Sequence, residues 1–341
     1  MKERTTMHEE GIVVLSLFDG ISCGRLALER AGIKVKGYYA SEIDKHAVKV
    51  SQDNWTDIVH IGDVTKVSFL DGKLTTESVE YDVGKIDLLL AGSPCQGFSM
   101  AGKQLAFDDP RSSLYFEFER ILSEIKAENP NVKFLLENVK MKAEHKDVIS
   151  ERLGVTPVAI NSNLVSAQNR YRLYWTNISG SIEQPMDKEV YLKDILEDSV
   201  GDEYYIKAGR LRWLKEFGEV KEKEGYVAFN PTKAKCLTVR PEPSWNCTYI
   251  LQWPHGTNSG GYRALDGKTP TLTTSSWEAN NYLLKEGSVR KLTPVECERL
   301  QTLPDNYTKC VSNTQRYKAL GNGWTVDVVA YILNYWNGSI V

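Results

Sequence analysis

Apolar runs and helical periodicities take turns along the first half of the chain. Ile12 to Phe18 is a near-continuous apolar run and predicts a first strand. Arg25 to Ala31 has helical spacing, Val35 to Ala40 predicts a second strand, Asp44 to Asn54 a second helix, and Val59-His60-Ile61 a third strand. Phe69 to Gly84 is polar and reads as a loop or insertion. Ile86 to Ala91 and Val132 to Leu136 are two more apolar strands, with a helix-like Ser113 to Glu128 between them, and a further candidate strand carries Gln168-Asn169-Arg170-Tyr171-Arg172. Alternation of this kind predicts an α/β fold, a mostly parallel sheet covered on both faces.

After about residue 178 the pattern changes: helical periodicity fades while Gly, Pro, Thr, Asn and Trp rise. A weak internal repeat runs through this part. Lys235-Cys236-Leu237-Thr238, Ser244-Trp245 and Tyr249-Ile250-Leu251 are matched by Thr271-Leu272-Thr273-Thr274, Ser276-Trp277 and Tyr282-Leu283-Leu284. Helical patterning resumes near Leu292. There Thr293, Pro294 and Glu296 have the arrangement of a capped helix start. Trp324 to Tyr335 predicts an amphipathic final helix. The expected organisation is a main unit over 11–178, a smaller, mostly β or irregular unit over 179–288, and a returning segment over 289–341 that completes the first.

The chemistry concentrates at the ends of the predicted strands. Gly92-Ser93-Pro94-Cys95-Gln96-Gly97-Phe98-Ser99 is a tight turn that presents a cysteine where open α/β sheets place their ligand crevice. Glu137 ends the next strand, and Arg170 and Arg172 share a strand face with Gln168. A thiol, a carboxyl group and paired arginines at one rim suit covalent attack on an electron-poor ring. Near the first strand, Gly20 and Gly24 allow a tight turn, but the phosphate fingerprint G-x-G-x-x-G and a P-loop lysine are both absent. A dinucleotide is therefore disfavoured. Glu42 stands where an acid accepts from ribose hydroxyls, and Asp63 could accept from an adenine amino group. Taken singly, each of these acids is more often a solvated strand end.

Composition narrows the field further. The 341 residues carry a net charge of −3, so nucleic acid would need a local basic cleft rather than a basic surface. The six cysteines form no C-x-x-C pair and the five histidines are scattered, which argues against a metal site. No secretory leader or membrane-length apolar run is visible, and a reducing, cytoplasmic setting is expected.

The ordered motifs resemble those of the DNA (cytosine-5) methyltransferases. The matching blocks are Phe18 to Gly24, Ser41-Glu42, Gly62-Asp63-Val64, Ser93 to Gln96, Glu137-Asn138-Val139, Gln168 to Arg172, Leu292 to Pro304, and Gly321-Asn322-Gly323. Each block is weak alone; their order is specific. The resemblance implies a Rossmann-like, class I fold that binds S-adenosyl-L-methionine, with no metal. Phe18, Asp19, Gly20, Gly24, Glu42, Ile43, Asp63, Val64, Pro94, Leu114, Asn322, Gly323 and Trp324 would line the cofactor site. Cys95 would be the nucleophile and Glu137 its partner at the base edge, protonated to donate to N3, with Arg170 or Arg172 holding the carboxyl group and the base carbonyl.

Double-stranded DNA is the implied substrate, with its target cytosine flipped out of the stack. Gln96, Ser99, Lys103, Arg111 and Gln168 would contact it from the catalytic side. Arg240, Trp245, Asn246, Asn258, Arg263, Trp277, Asn280 and Asn281 are candidate base readers. The resemblance also implies action as a monomer on DNA and leaves room for a cognate restriction endonuclease. Two rival functions stay open at this point. One is a transfer-RNA cytosine-5 methyltransferase, for which Lys235 to Thr238 is an imperfect signature. The other is a catalytically silent DNA-binding homologue.

Overall fold

The computed structural model describes residues 11–93, 113–205, 249–252, 261–263, 271, 282–285 and 288–337. In chain order the first elements are β1 (Ile12–Leu17), α1 (Cys23–Arg30), β2 (Val35–Ser41), α2 (Lys45–Asn54) and β3 (Ile58–His60). Three short strands follow, β4 (Ser68–Leu70), β5 (Lys73–Thr75) and β6 (Glu80–Asp82). Then come β7 (Leu88–Gly92), α3 (Ser113–Glu128), β8 (Lys133–Val139), α4 (Ala143–Leu153), β9 (Val158–Asn161), β10 (Tyr171–Thr176) and α5 (Leu192–Ile195). The later part holds β11 (Tyr249–Gln252), β12 (Gly261–Arg263), β13 (Tyr282–Lys285), β14 (Ser288–Lys291), α6 (Pro294–Leu300), α7 (Asn313–Asn322) and α8 (Val326–Asn337).

The main sheet has seven strands in the order β3-β2-β1-β7-β8-β10-β9. Its first five strands are parallel, and β10 runs antiparallel to both neighbours. This is the mostly parallel α/β sheet that the strand–helix alternation predicts. All six residues of β1 are buried because both faces of the sheet are covered. Alternate side chains enter opposite cores. Val14 joins Tyr38, Leu90, Leu28, Leu320 and Val329 on one face. Leu15 and Leu17 join Leu89, Phe118, Ile121, Phe134 and Trp175 on the other.

Strand order reverses between β1 and β7: the chain leaves β1 towards β2 and β3, and leaves β7 towards β8. Adjacent loops diverge at that point and open a crevice at the carboxyl ends of the strands.

Three sequence expectations need correction. Phe69 to Gly84 is an insertion and not a loop: β4, β5 and β6 form a separate three-stranded antiparallel sheet. It packs on α3, and Tyr81 of β6 also meets Tyr39 of β2, ring centres 5.6 Å apart. Arg120 of α3 donates to Val67 O at 2.7 Å, and Glu124 accepts from Phe69 N at 2.9 Å. The strand expected over Val132 to Leu136 runs on through Glu137, Asn138 and Val139 as the last residues of β8, held by β10 through the pairs Tyr174–Glu137, Leu173–Asn138 and Arg172–Val139. Gln168, Asn169 and Arg170 precede β10, so a shared strand face does not relate them to Arg172.

The region rich in strand and turn signals contributes a four-stranded sheet, β12-β11-β13-β14. The two copies of the internal repeat end in β11 and β13, which pair antiparallel with Ile250 opposite Leu283. The remainder of each copy lies outside the described residues, apart from Thr271.

The returning segment follows its sequence signals closely. Thr293 Oγ1 accepts from Glu296 N at 3.1 Å, and the Glu296 carboxylate accepts from Thr293 N at 2.8 Å, which closes the capping box. Glu296 is fully buried and also binds the Arg290 guanidinium through two hydrogen bonds of 2.8 and 2.7 Å. Glu298, equally buried, accepts from Asn306 N, Thr308 N and Arg316 Nη2 at 2.7, 2.9 and 2.8 Å, tying α6 to α7. The final helix packs along α1, with an Arg30–Asp327 ion pair of 2.5 Å at its start. Among the described residues no helix is long and apolar enough to cross a membrane, and no His/Cys/Asp/Glu cluster is arranged to hold a metal.

The Arg290–Glu296 pair yields a stability prediction. Truncating Glu296 to alanine strands a buried guanidinium, at a cost of about 3–5 kcal/mol. Urea unfolding of Glu296→Ala should show a clearly lower midpoint than the parent; an unchanged midpoint would contradict this account.

Candidate active site

The crevice is built first from the turn after β1. Phe18, Gly20 and Ser22 all take positive φ angles, of 56°, 61° and 60°. Such geometry is costly for residues with a β-carbon and persists only where neighbours enforce it. The enforcing group is Asp19, whose carboxylate accepts from Ser16 Oγ at 2.6 Å, Ser22 Oγ at 2.5 Å and Tyr38 Oη at 2.7 Å. Burial pushes the Asp19 carboxyl above the usual carboxylate range, and these hydrogen bonds oppose the shift. The Asp19 side chain therefore serves the turn from beneath.

Glu42 fixes the other side of the turn. Its Oε2 accepts from Gly20 N at 2.9 Å, and Oε1 accepts from Ile43 N and Asp44 N at 2.8 Å each. A carboxylate has about four acceptor positions, so three backbone donors orient Glu42 and leave capacity for a ligand hydroxyl.

A cavity of about 380 Å³ opens here. That is within the size range of small-molecule sites. Phe18, Asp19, Gly20, Glu42, Ile43, Asp63, Val64, Leu114, Asn322, Gly323 and Trp324 line it, as do Glu137, Arg170 and Arg172. Ile43 is 78% exposed, an apolar wall turned towards the space. Asp63 caps the short helical turn that follows it by accepting from Thr65 N at 2.9 Å.

Ile21, Cys23, Ser41, Gly92, Ser93 and Asn138 also belong to this wall, and sequence reasoning did not single them out as ligand-facing. Cys23 is not a rival nucleophile: burial pushes its thiol up to about 12.

Gly24 is absent from the cavity wall and is corrected accordingly. A β-carbon there would lie 2.8 Å from Leu90 Cδ1 and 2.9 Å from the Tyr38 hydroxyl. Its glycine lets α1 press against the sheet rather than a ligand against the backbone. Gly92 plays a similar part at the end of β7, where an added β-carbon would stand 2.7 Å from Trp324 Nε1.

The far wall carries the ionisable pair. Strand register sets Gly92 beside Glu137. Glu137 is buried, and Arg172 Nε lies 2.8 Å from its Oε1. Of the two arginines expected to hold this carboxyl group, Arg172 does so. Arg170 lines the cavity but spends its buried guanidinium on the backbone, donating to Gly321 O at 3.3 Å and Gly323 O at 3.0 Å.

Gln168 requires correction. It is fully buried, and its amide donates to Leu300 O and Gln301 Oε1 at 3.2 and 3.3 Å, so in this structure it is a strut between segments rather than an exposed group. Asn138 is the connection that sequence reasoning left out. Its Nδ2 donates to Ser93 Oγ at 3.1 Å, clamping β8 to the residue before Pro94-Cys95. Thr271 Oγ1 donates to Asn169 O at 2.6 Å, joining the variable part of the chain to this rim.

Pro94, Cys95, Gln96, Ser99, Lys103, Arg111 and Arg240 lie outside the described residues, as do Trp245, Asn246, Asn258, Trp277, Asn280 and Asn281. Arg263 belongs to β12, described here by its backbone.

Comparison with known proteins agrees with this geometry. The family description for C-5 cytosine-specific DNA methylases matches residues 12–336. The type II methyltransferase M1.ScrFI of Lactococcus lactis subsp. cremoris is 31% identical, over 93% of this chain and 75% of its own. M.HpaII of Haemophilus parainfluenzae is 31% identical, over 94% and 87% respectively. M.HhaI of Haemophilus parahaemolyticus is 28% identical, over 94% and 93%. Among solved structures, the Entamoeba histolytica methyltransferase EhMeth superposes with a TM-score of 0.65 at 16% identity, covering 97% of this chain and 99% of that one. S. pombe Dnmt2 gives 0.64 at 17% identity, covering 96% and 98%. Those two likenesses speak for the fold alone. A match that begins in β1, ends in α8 and spans the whole crevice between them leaves one conclusion: the chain belongs to the C-5 cytosine-specific DNA methylases.

Proposed function

We propose that this DNA methylase binds S-adenosyl-L-methionine in the cavity between the β1 turn and the Gly321–Trp324 turn, and that Cys95 is its nucleophile. The observation that carries the reading is the pairing of Gly92 with Glu137. It sets an Arg172-held carboxyl group on the cavity wall, next to the strand end that leads into Pro94-Cys95.

The wall fits this cofactor. Glu42 has acceptor capacity left for ribose hydroxyls, Ile43 and Phe18 offer apolar surface to an adenine ring, and Asp63 is at hand for its amino group. Pro94 would complete the pocket. The sequence carries no G-x-G-x-x-G phosphate fingerprint, and S-adenosyl-L-methionine needs none. When bound, it supplies the electrophilic methyl group that cytosine C5 takes up.

The work of the protein's own groups is to make C5 reactive. The Cys95 thiolate adds to C6, forming a C–S bond and breaking the ring's conjugation, so that C5 becomes enamine-like. Glu137 meets the N3 and amino edge of the base, and Arg172 holds that carboxyl group in place. After methylation the C5 proton leaves to a base, the C–S bond breaks, and Cys95 returns as thiolate. A dry pocket favours these steps because charge is poorly screened there.

The target must first leave the duplex, at a cost of a few kcal/mol. Gln96, Ser99, Lys103 and Arg111 are assigned to holding the strand. The chain then divides its labour: 11–178 and 289–341 perform the chemistry, and 179–288, including Arg240 and Arg263, selects the sequence. Action as a monomer on DNA and a partner endonuclease belong to this reading too.

Three outcomes test it. Duplex DNA carrying 5-fluorocytosine at the target should be trapped covalently, because fluorine blocks the final loss of the C5 proton; mass spectrometry should find the adduct on Cys95, and an adduct on another cysteine overturns the assignment. In calorimetric titration, Glu42→Ala should bind S-adenosyl-L-methionine more weakly by about 1.5–3 kcal/mol, the worth of a charge-assisted hydrogen bond, and should bind DNA as the parent does; an unchanged dissociation constant would make Glu42 a bystander. Methylation of a randomised duplex library should show relaxed preference at one position for Arg240→Ala or Arg263→Ala, by about 1–3 kcal/mol where the arginine is bidentate to guanine. Lys103→Ala and Arg111→Ala should slow all sites alike, and the opposite pattern would refute the division of labour.

A further inference from the structure

A basic ledge lies just outside the cavity, where β8 ends beside the start of β10. Val139 is the last cavity-lining residue of β8, and Lys140 follows it directly into solvent. The Lys140 ammonium stands 5.7 Å from the centre of the Tyr171 ring, and Tyr171 opens β10 with 42% of its surface exposed. The ring keeps the ammonium near one place, since an exposed cation–π contact is worth about 0.5–1 kcal/mol.

Among the described residues no carboxylate lies within ion-pair distance of Lys140, whereas its neighbour Lys142 has Glu144 at 3.6 Å. Arg172 secures the ledge from within. Its Nη1 donates to Tyr171 O at 2.9 Å while its Nε lies 2.8 Å from Glu137. One arginine thus couples the carboxyl group on the cavity wall to the backbone that carries the exposed ring.

A base that enters the cavity beside Glu137 brings its own sugar and phosphate to the mouth. The ledge is an aromatic ring that steadies a cation with no acidic partner among the described residues, one residue beyond the wall. We infer that Lys140, steadied by Tyr171, grips a backbone phosphate of the DNA strand that carries the flipped cytosine, on the β8–β10 side of the mouth. This rests on the proposed DNA reaction in the same cavity and adds an anchor to those assigned to Gln96, Ser99, Lys103 and Arg111. The contact is with phosphate and carries no sequence information. It therefore affects affinity and retention of the flipped base, and leaves the target sequence alone.

The test uses the full chain and a duplex bearing the sequence it methylates, as read by bisulfite sequencing of expression-host DNA, with 2-aminopurine at the target position. DNA affinity is measured by fluorescence anisotropy over a range of salt concentrations, base flipping by 2-aminopurine emission, and fold integrity by S-adenosylhomocysteine binding. Lys140→Ala should reduce the steepness of log K against log salt by about 0.9, the value for one lost phosphate contact, and should dim the flipped-base emission. Lys140→Arg should restore both. Tyr171→Leu should weaken binding severalfold at unchanged slope, because the cation remains but is no longer held. The methylated sequence should be the same in every variant. A parental slope in Lys140→Ala overturns the inference, as does an altered target sequence. A parent protein that fails to bind its duplex would overturn the DNA reading itself, a separate outcome from the loss of this one contact.

Discussion

The crevice depends on a buried polar clasp between parts of the chain far apart in sequence. Gln301 Nε2 donates to Leu320 O and Gly323 O at 2.6 and 3.2 Å, and Arg170 donates to Gly321 O and Gly323 O. Gln301 Oε1 in turn accepts from Gln168 Nε2 and from Thr325 Oγ1 at 2.9 Å, and Thr325 Oγ1 accepts from Ser162 Oγ at 2.9 Å. The carbonyls at the end of α7 have no helical partners of their own. Buried without donors, each would cost about 1–3 kcal/mol. Leu320 O, Gly321 O and Gly323 O each have a side-chain donor instead, which holds the turn that brings Asn322 and Trp324 to the cavity. Polar networks of this kind confer precision only when their members are satisfied, and this one connects the sheet, α6, α7 and α8.

A second fastening works alongside it. Tyr307 Oη donates to Ile21 O at 2.9 Å and accepts from Trp55 Nε1 at 2.8 Å, while Tyr307 O accepts from Asn54 Nδ2 at 2.9 Å. The same tyrosine thus touches the β1 turn and the end of α2. One wall of the cavity is set by local geometry around Asp19 and Glu42. The other is held on to it by side chains reaching across from the returning segment. The two walls meet where Trp324 lies over Gly92.

Much of this was legible in the sequence, for reasons that differ by element. Fully buried parallel strands must be apolar throughout, so β1, β7 and β8 announce themselves. Ser113 to Glu128 keeps helical spacing along its whole length, and Thr293-Pro294-Val295-Glu296 states its cap in local chemistry, so both agree with the structure. The small sheet of β4 to β6 stayed hidden because its strands are three residues each and largely polar. At the site, Glu42, Asp63, Glu137 and Arg172 fall on the cavity wall as their strand-end positions suggest. Gln168 and Gly24 do not. Their residue types suit a ligand as well as an interior contact, and only tertiary packing distinguishes the two. Asn138 was overlooked for the converse reason: its partner, Ser93, comes from a different strand, and no local pattern encodes that meeting.

The Arg30–Asp327 pair and the Tyr307–Ile21 hydrogen bond join residues 297 and 286 positions apart. Contacts of such long range close large loops and are slow to form. During synthesis the strands around β1 leave the ribosome long before α6, α7 and α8 exist. The crevice then has one wall, with the apolar face of α1 bare. A chain in that condition cannot modify a genome, and it needs protection from aggregation. Synthesis of α6, α7 and α8, rather than the folding of the sheet, is thus the step that closes the crevice.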